Sequence, residues 1–333
     1  MDAKITKERL GHLFSYDWIK MILASVAGIL VWALLFTVTA TKPFNSQKFT
    51  VCNYAGNLTF SQSFLDKYEQ MKDKGVFSYE VVDLNICDMA LDDQYGNTLL
   101  ETRLMTGEGN VIFVNDNPNP NAMYEENGEV KYKTYLDSFV LGWDVFIDDL
   151  NPESETGYFK RLEKYLGQFY TQGYDQPNSL SKEKVEEAFR ARVKKNNDKR
   201  FKTEKQIKAG IDDEVARLDK YRAALVKFYD YVKDGYVTIE KIVCSSAYDK
   251  ENVVEKYAIN LCPNEDTMGG LNRTICYKKT YVDETDGKTK EKYTAENLRM
   301  FFFSMVRQDE GFEYESLLYA VELIDTHHKA PKA

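Results

Sequence analysis

Hydrophobic positions along this chain follow three different rhythms. The first is continuous. Between Lys20 and Lys42 lie 21 residues without a charge, KMILASVAGILVWALLFTVTATK with its flanks. At 1.5 Å of rise per residue such a run reaches about 30 Å, the thickness of a bilayer's hydrocarbon core. A secretory signal has a shorter apolar centre of about 7–15 residues, although Val38-Thr39-Ala40 has the small residues of a cleavage site. Length favours a retained anchor over a cleaved leader. Tyr16 and Trp18 stand where amphipathic rings favour the headgroup level. Lys4, Lys7, Arg9 and Lys20 precede the run, while Lys42 and Lys48 are the cations that follow it before Lys67. That bias places the N-terminus in the cytoplasm and the rest of the chain outside.

The second rhythm alternates between strand and helix. Residues 48–56 are β-branched and apolar and stop at Gly56. Residues 61–75 carry a capping Ser61, one face of Phe64, Leu65, Tyr68 and Met71, and a terminal Gly75. Residues 76–85 alternate as a strand. Residues 98–109 begin with a Thr98/Glu101 capping box and end at Gly107. Residues 110–116 form a short apolar run suited to a buried parallel strand. The order β-α-β-α-β predicts an α/β layer on a parallel sheet. A polar loop follows, with a hairpin turn at Asn127-Gly128.

The third rhythm is helical and charged. Residues 158–170 have helical spacing. Residues 181–234 predict a helical hairpin, broken at Asn196-Asn197 and restarted by a Thr203/Gln206 capping box. Its second helix carries a stripe of Ile207, Ile211, Val215, Leu218, Leu225, Phe228 and Val232. Beyond it, 236–246 and 255–262 predict strands, and a hairpin turns at Asp286-Gly287. Two terminal helices are expected over 294–311 and 313–328. The resulting organisation is a cytoplasmic tail 1–19, a transmembrane helix 20–42, an α/β lobe 43–150, a helical region 151–235 and a closing part 236–333.

Composition narrows the chemistry. The chain has 44 basic and 53 acidic residues, a net charge of −9, which argues against nucleic acid as a partner. Its three histidines are His12, His327 and His328, so the long interior has no imidazole for a hydrolase triad or a catalytic zinc site. No metal or cofactor is expected, and no enzyme activity. The cation-rich run from Arg190 to Lys208 reads either as a solvated helix surface or as a patch that grips phosphates. Adjacent carboxylates, Asp148-Asp149 and Asp92-Asp93, allow a carboxylate-pair hydrolase as a lesser reading. Five cysteines, Cys52, Cys87, Cys244, Cys262 and Cys276, all follow the apolar run. Bridges Cys52–Cys87 and Cys262–Cys276 are conceivable, and so are five reduced, packed thiols.

The segments LLETRLMTGEGNVIFVND and KFTVCNYAG resemble the N-terminal lobe of extracellular solute-binding proteins of ABC importers. ENLRMFFFSMVRQDEGFEYESLLYAVELI is similar to helices that close such chains. The resemblance implies a periplasmic-binding-protein-like α/β domain of two lobes with the helical hairpin inserted. It implies ligand contacts on loops at the carboxyl ends of the strands, here Tyr54, Asn57, Asn115 and Asp116, with Trp143 or Tyr174 as a stacking ring. The implied function is capture of a small polar ligand such as a sugar, beside an ABC transporter permease or another envelope protein. Helix anchoring departs from the lipid anchor usual in that family, and the hairpin 181–234 is not part of either lobe. The alternative is a cell-envelope scaffold that binds a protein through 181–234 and takes no ligand.

Overall fold

The computed structural model describes residues 7–8, 11, 18–39, 47–54, 58–87, 93–245, 251, 253–263, 271–304 and 311–327. The chain divides into two units, 1–44 and 45–333. In the first, helix α1 (Trp18–Thr39) runs for 22 residues, and its stretch Trp18–Phe36 is long and apolar enough to cross a membrane. A signal sequence near an N-terminus has the same properties.

The second unit is built on a six-stranded sheet, ordered β3 (Asp83–Cys87), β1 (Lys48–Tyr54), β4 (Val111–Val114), β11 (Arg299–Phe302), β8 (Val253–Asn260) and β7 (Thr238–Ser245). Strands β1, β3 and β4 are parallel, as the alternating rhythm predicts. Parallel neighbours need crossover helices. These are α2 (Gln62–Asp73) and α3 (Asp93–Met105). Ser61 caps α2 by accepting from the Phe64 amide, and Gly75 ends it at φ 65°. Strand β2 (Leu58–Phe60) leaves this layer and pairs with β9 (Ile275–Val282), whose other neighbour is β10 (Thr289–Thr294).

The C-terminal half corrects the sequence reading. Residues 294–311, expected as a helix, contain strand β11 (Arg299–Phe302), which lies antiparallel to both β4 and β8 (Val253–Asn260). Strand β7 (Thr238–Ser245) completes the sheet beside β8. The consecutive residues Met300, Phe301, Phe302 and Phe303 give neither a period of 2 nor one of 3.6, because both faces of this strand are covered. Met300 and Phe302 face one apolar layer with Phe49, Val51, Val111 and Phe113. Phe301 faces the other with Cys52, Ile112, Leu100 and Phe139. Thus strands from 48–114 and from 238–302 share one six-stranded sheet.

Other local differences have local causes. The strand expected over 76–85 begins only at Asp83, since 76–82 fold as turns: the Val76 amide still bonds back to Met71 and the Ser78 amide donates to Glu315. Thr98 lies inside α3, which starts at Asp93, so the expected capping box does not form. The polar loop after β4 is a hairpin, β5 (Pro118–Glu126) and β6 (Glu129–Thr134). It turns at Asn127 and Gly128, both at positive φ. Helix α4 (Tyr135–Trp143) follows under a Thr134/Asp137 capping box.

The charged hairpin is part of the core. After α5 (Tyr158–Gly167) come α6 (Lys182–Asn196), closed by Asn197 at φ 48°, and α7 (Glu204–Lys233), opened by the expected Thr203/Gln206 box. Helix α7 buries Ile211, Leu218, Tyr221, Leu225 and Phe228. It also buries Arg217, whose Nη2 donates to Glu214 Oε1 at 2.5 Å and to Tyr165 Oη at 2.8 Å, over the Phe312 ring. Glu214 also accepts from Arg192 at 3.1 Å and from the Tyr79 hydroxyl at 2.8 Å. Burial alone would raise the Glu214 carboxyl, but Arg217 and Arg192 outweigh it and hold the group below its ordinary range. Arg190 is held by Glu186 and Glu204, and Arg200 by Glu80 and Asp198. Arg190, Arg192 and Arg200 of the basic run are therefore each paired with carboxylates of the same unit, at the surface for Arg190 and in the interior for Arg192.

Helix α8 (Glu315–His327) is buried nearly throughout. Tyr319 packs its ring on Phe49, Tyr68 and Phe113. Its hydroxyl is buried and has no hydrogen-bond partner. A buried unsatisfied hydroxyl costs about 1–3 kcal/mol. Tyr319→Phe is therefore expected to stabilise the protein by roughly 1 kcal/mol in urea unfolding. A loss of stability would show that the hydroxyl has a partner.

Candidate functional site

Topology brings one polar cluster to the carboxyl edge of the parallel strands. Strand β11 runs antiparallel to β4, so Arg299 pairs with Val114 at the end of β4 and with Asn260 at the end of β8. Glu240 enters from β7, which pairs with β8. Arg299 stands between Asp116 Oδ2 at 3.4 Å and Glu240 Oε2 at 3.3 Å, and its side chain is 13% exposed. Its Nη1 donates to the Asn297 carbonyl at 2.8 Å, and its Nε–H is buried without a partner. Asn260 Nδ2 donates to Glu240 Oε1 at 2.7 Å and to Asn297 Oδ1 at 3.2 Å. On β9, Tyr277 donates to the Glu296 carbonyl at 2.5 Å, and Lys279 pairs with Glu296 at 3.4 Å. Burial first, and then the Asp116 charge, push the Tyr277 hydroxyl up, so it stays a neutral donor.

This edge is where open α/β sheets place ligands. Asp116, Glu240 and Glu296 are all about one-third exposed, so the cluster reaches solvent. Three carboxylates face three cations, Arg299, Lys279 and Lys292. Such an edge offers both acceptors and donors, which suits a hydroxyl, a group that can donate and accept. The long Arg299 contacts leave its guanidinium half-satisfied, the state of a group that a hydroxyl oxygen could complete.

The structure separates the residues grouped by sequence. Asn115 and Asp116 lie at this edge; Asn115 is fully buried, its Oδ1 accepting from the Asn117 amide while its Nδ2 has no partner. Tyr54 ends β1 beside Val114, but its ring packs on Tyr135 and Phe139. Asn57 lies outside the described residues. Trp143 stands at the other end of the sheet. It closes α4 against Phe146, and the Phe146 carbonyl accepts from Ser304, just past the strand end that pairs with Val111. Tyr174 donates instead to Glu163 at 3.1 Å, which also accepts from Tyr229. Arg299, Glu240, Asn260 and Tyr277 were missed, because 294–311 read as helix. The signal was the unbroken Phe301–Phe303 run after Asn297, a residue here at φ 54°.

Two other places carry polar groups. A groove of about 410 Å³ is lined by Lys72, Ser78, Tyr79, Asp213, Arg217 and Lys220. Its lysines clamp backbone: Lys220 donates to Gly75 O at 2.5 Å and Phe77 O at 2.7 Å, and Lys72 to Val82 O. At the amino edge of the parallel strands, Arg161 Nη2 grips both oxygens of Asp148 at 2.9 and 2.6 Å. Asp148 also accepts from the Asp149 amide, and Asp149 from the Asn151 amide, so this carboxylate pair shapes a loop. Asp92 lies outside the described residues. Nearby Glu313 is buried and its Oε2 has no partner. Burial pushes the Glu313 carboxyl up to about 7, with Asp148 adding to the shift and Arg161 opposing it.

A carboxyl raised in the folded state favours folding while protonated. That stability is full below the unfolded pKa and is lost as pH rises through about 7. Glu313 is thus expected to make stability fall from about pH 4.5 to about pH 7, by at most about 1.4 kcal/mol per pH unit, and to level off above that. Glu313→Gln should flatten the profile of unfolding free energy against pH. Parallel profiles for the two proteins would contradict this assignment. No family model, curated protein or solved structure matches this chain.

Proposed function

We propose that this chain is a single-pass membrane protein that holds its 45–333 unit outside the membrane as a binding module. Its ligand is small and hydroxyl-rich, of the sugar class, and it sits at the Asp116–Arg299–Glu240 edge. The observation that carries this reading is Arg299 at the carboxyl edge of the sheet, 13% exposed and loosely held at 3.4 and 3.3 Å by two part-exposed carboxylates, Asp116 and Glu240. Apolar length supports the anchor, and the cation bias of the flanks supports the orientation. Capture would not need closure of two lobes. A membrane transporter, such as an ABC permease, is the partner such a module would serve. The second reading is an envelope scaffold docking through 181–234. It is favoured by the tight internal hold on that hairpin, which gives its exposed lysine-bearing face a fixed shape.

Full-length protein in detergent is expected to gain a few degrees of Tm with a saturating neutral mono- or disaccharide, and Asp116→Asn should lose that gain while keeping its own Tm. An unchanged Tm across neutral sugars, polyols and amines would remove the ligand reading. Alkaline extraction of membranes should leave the protein in the pellet, and protease applied to intact cells should digest 45–333. Protection of that unit would reverse the orientation.

A further inference from the structure

The parallel register of β1 and β3 sets Cys52 directly opposite Cys87. Both side chains enter the same apolar layer, with Leu100, Ile112 and Phe139, and both are buried. Neighbouring strands lie about 4.8 Å apart. That is inside the roughly 4.4–6.8 Å range of Cα separations that disulfides join. The Cys87 hydrogen bond and then burial push the Cys52 thiol well up, so the two reduced groups sit as a bonded, protonated pair. The other three cysteines have no such relation. Cys262 is buried in the layer with Ile275 and Tyr277, whereas Cys276 turns away from it toward Thr59, so the Cys262–Cys276 bridge conceivable from sequence is not formed. Cys244 bonds to Asp137.

We propose that Cys52 and Cys87 are a disulfide site that fastens β1 to β3. Formation requires an external disulfide, from glutathione disulfide or an oxidoreductase. The Cys52 thiolate attacks it and expels one thiolate, leaving a mixed disulfide. The Cys87 thiolate then attacks the Cys52 sulfur and expels the second thiolate. The pair loses two electrons and two protons, and the external disulfide takes up both. Since the folded pair is buried, exchange occurs before β1 and β3 close together. Presence of the bond in cells rests on the outward placement proposed above, because oxidising compartments lie on that side.

The test counts thiols in full-length protein solubilised from membranes, quenched with N-ethylmaleimide and denatured. With five cysteines in the chain, the bond predicts three adducts before reduction and five after it, and a non-reduced peptide linking Cys52 to Cys87. A C52S variant, with four cysteines, should show four adducts without reduction. A second sample is reduced, unfolded and refolded with glutathione disulfide. Five adducts in both samples would overturn the pair. Five from cells but three after refolding would uphold the pair and overturn the outward placement.

Discussion

The unit 45–333 depends on one short strand. Arg299–Phe302 lies between β4 and β8 and completes the hydrogen bonding of both. Its phenylalanines close both apolar layers: Phe301 meets Phe139, and Phe302 meets Tyr158. Burial of one such side chain is worth about 1.5–3 kcal/mol. Without this strand, the parallel strands of 48–114 and the β7–β8 hairpin would be two sheets with open edges. The same strand starts with Arg299 and so creates the polar cluster at the carboxyl edge. Fold and candidate site are therefore one arrangement, not a scaffold with a site added.

The second layer of support is polar and charged groups taken into the interior. Glu315, fully buried on α8, accepts from the Ser78 amide at 3.1 Å and the Tyr221 hydroxyl at 2.6 Å. Arg217 and Glu214 tie α7 to Tyr165, Tyr79 and Phe312. Removing one member of such a set leaves a buried charge alone, which costs about 3–5 kcal/mol. These groups tie α6 and α7 to the rest of the unit through Tyr79, Tyr165 and Phe312.

What the sequence disclosed depended on range. Ser61 with Gly75, Thr203 with Gln206, Asn127-Gly128 and Asp286-Gly287 act within a few residues, and each marks its structure where expected. The parallel βαβαβ start was legible for the same reason. Strand β11 was not, because its partners lie far away along the chain, Val114 for one, and its own run of Met and Phe carries no period. Arg217 sits on α7 beside Leu218 like any surface residue. Only Glu214, Tyr165 and Phe312, from three segments, make it interior. Of the candidate site, Asn115 and Asp116 were legible from the rule that ligands gather at strand ends. Arg299, Glu240 and Asn260 depend on the long-range strand order and were not.

The central claim is that β11 makes one cooperative sheet from both halves of the chain. Native-state hydrogen exchange of the amides of Val111–Val114, Met300–Phe302 and Ala258–Asn260 tests it most directly. The account predicts that all three sets exchange only through global unfolding, with one common free energy and one common denaturant dependence. Exchange of the β8 and β11 amides at a distinctly lower free energy, while β4 stays protected, would contradict it and restore two separate lobes.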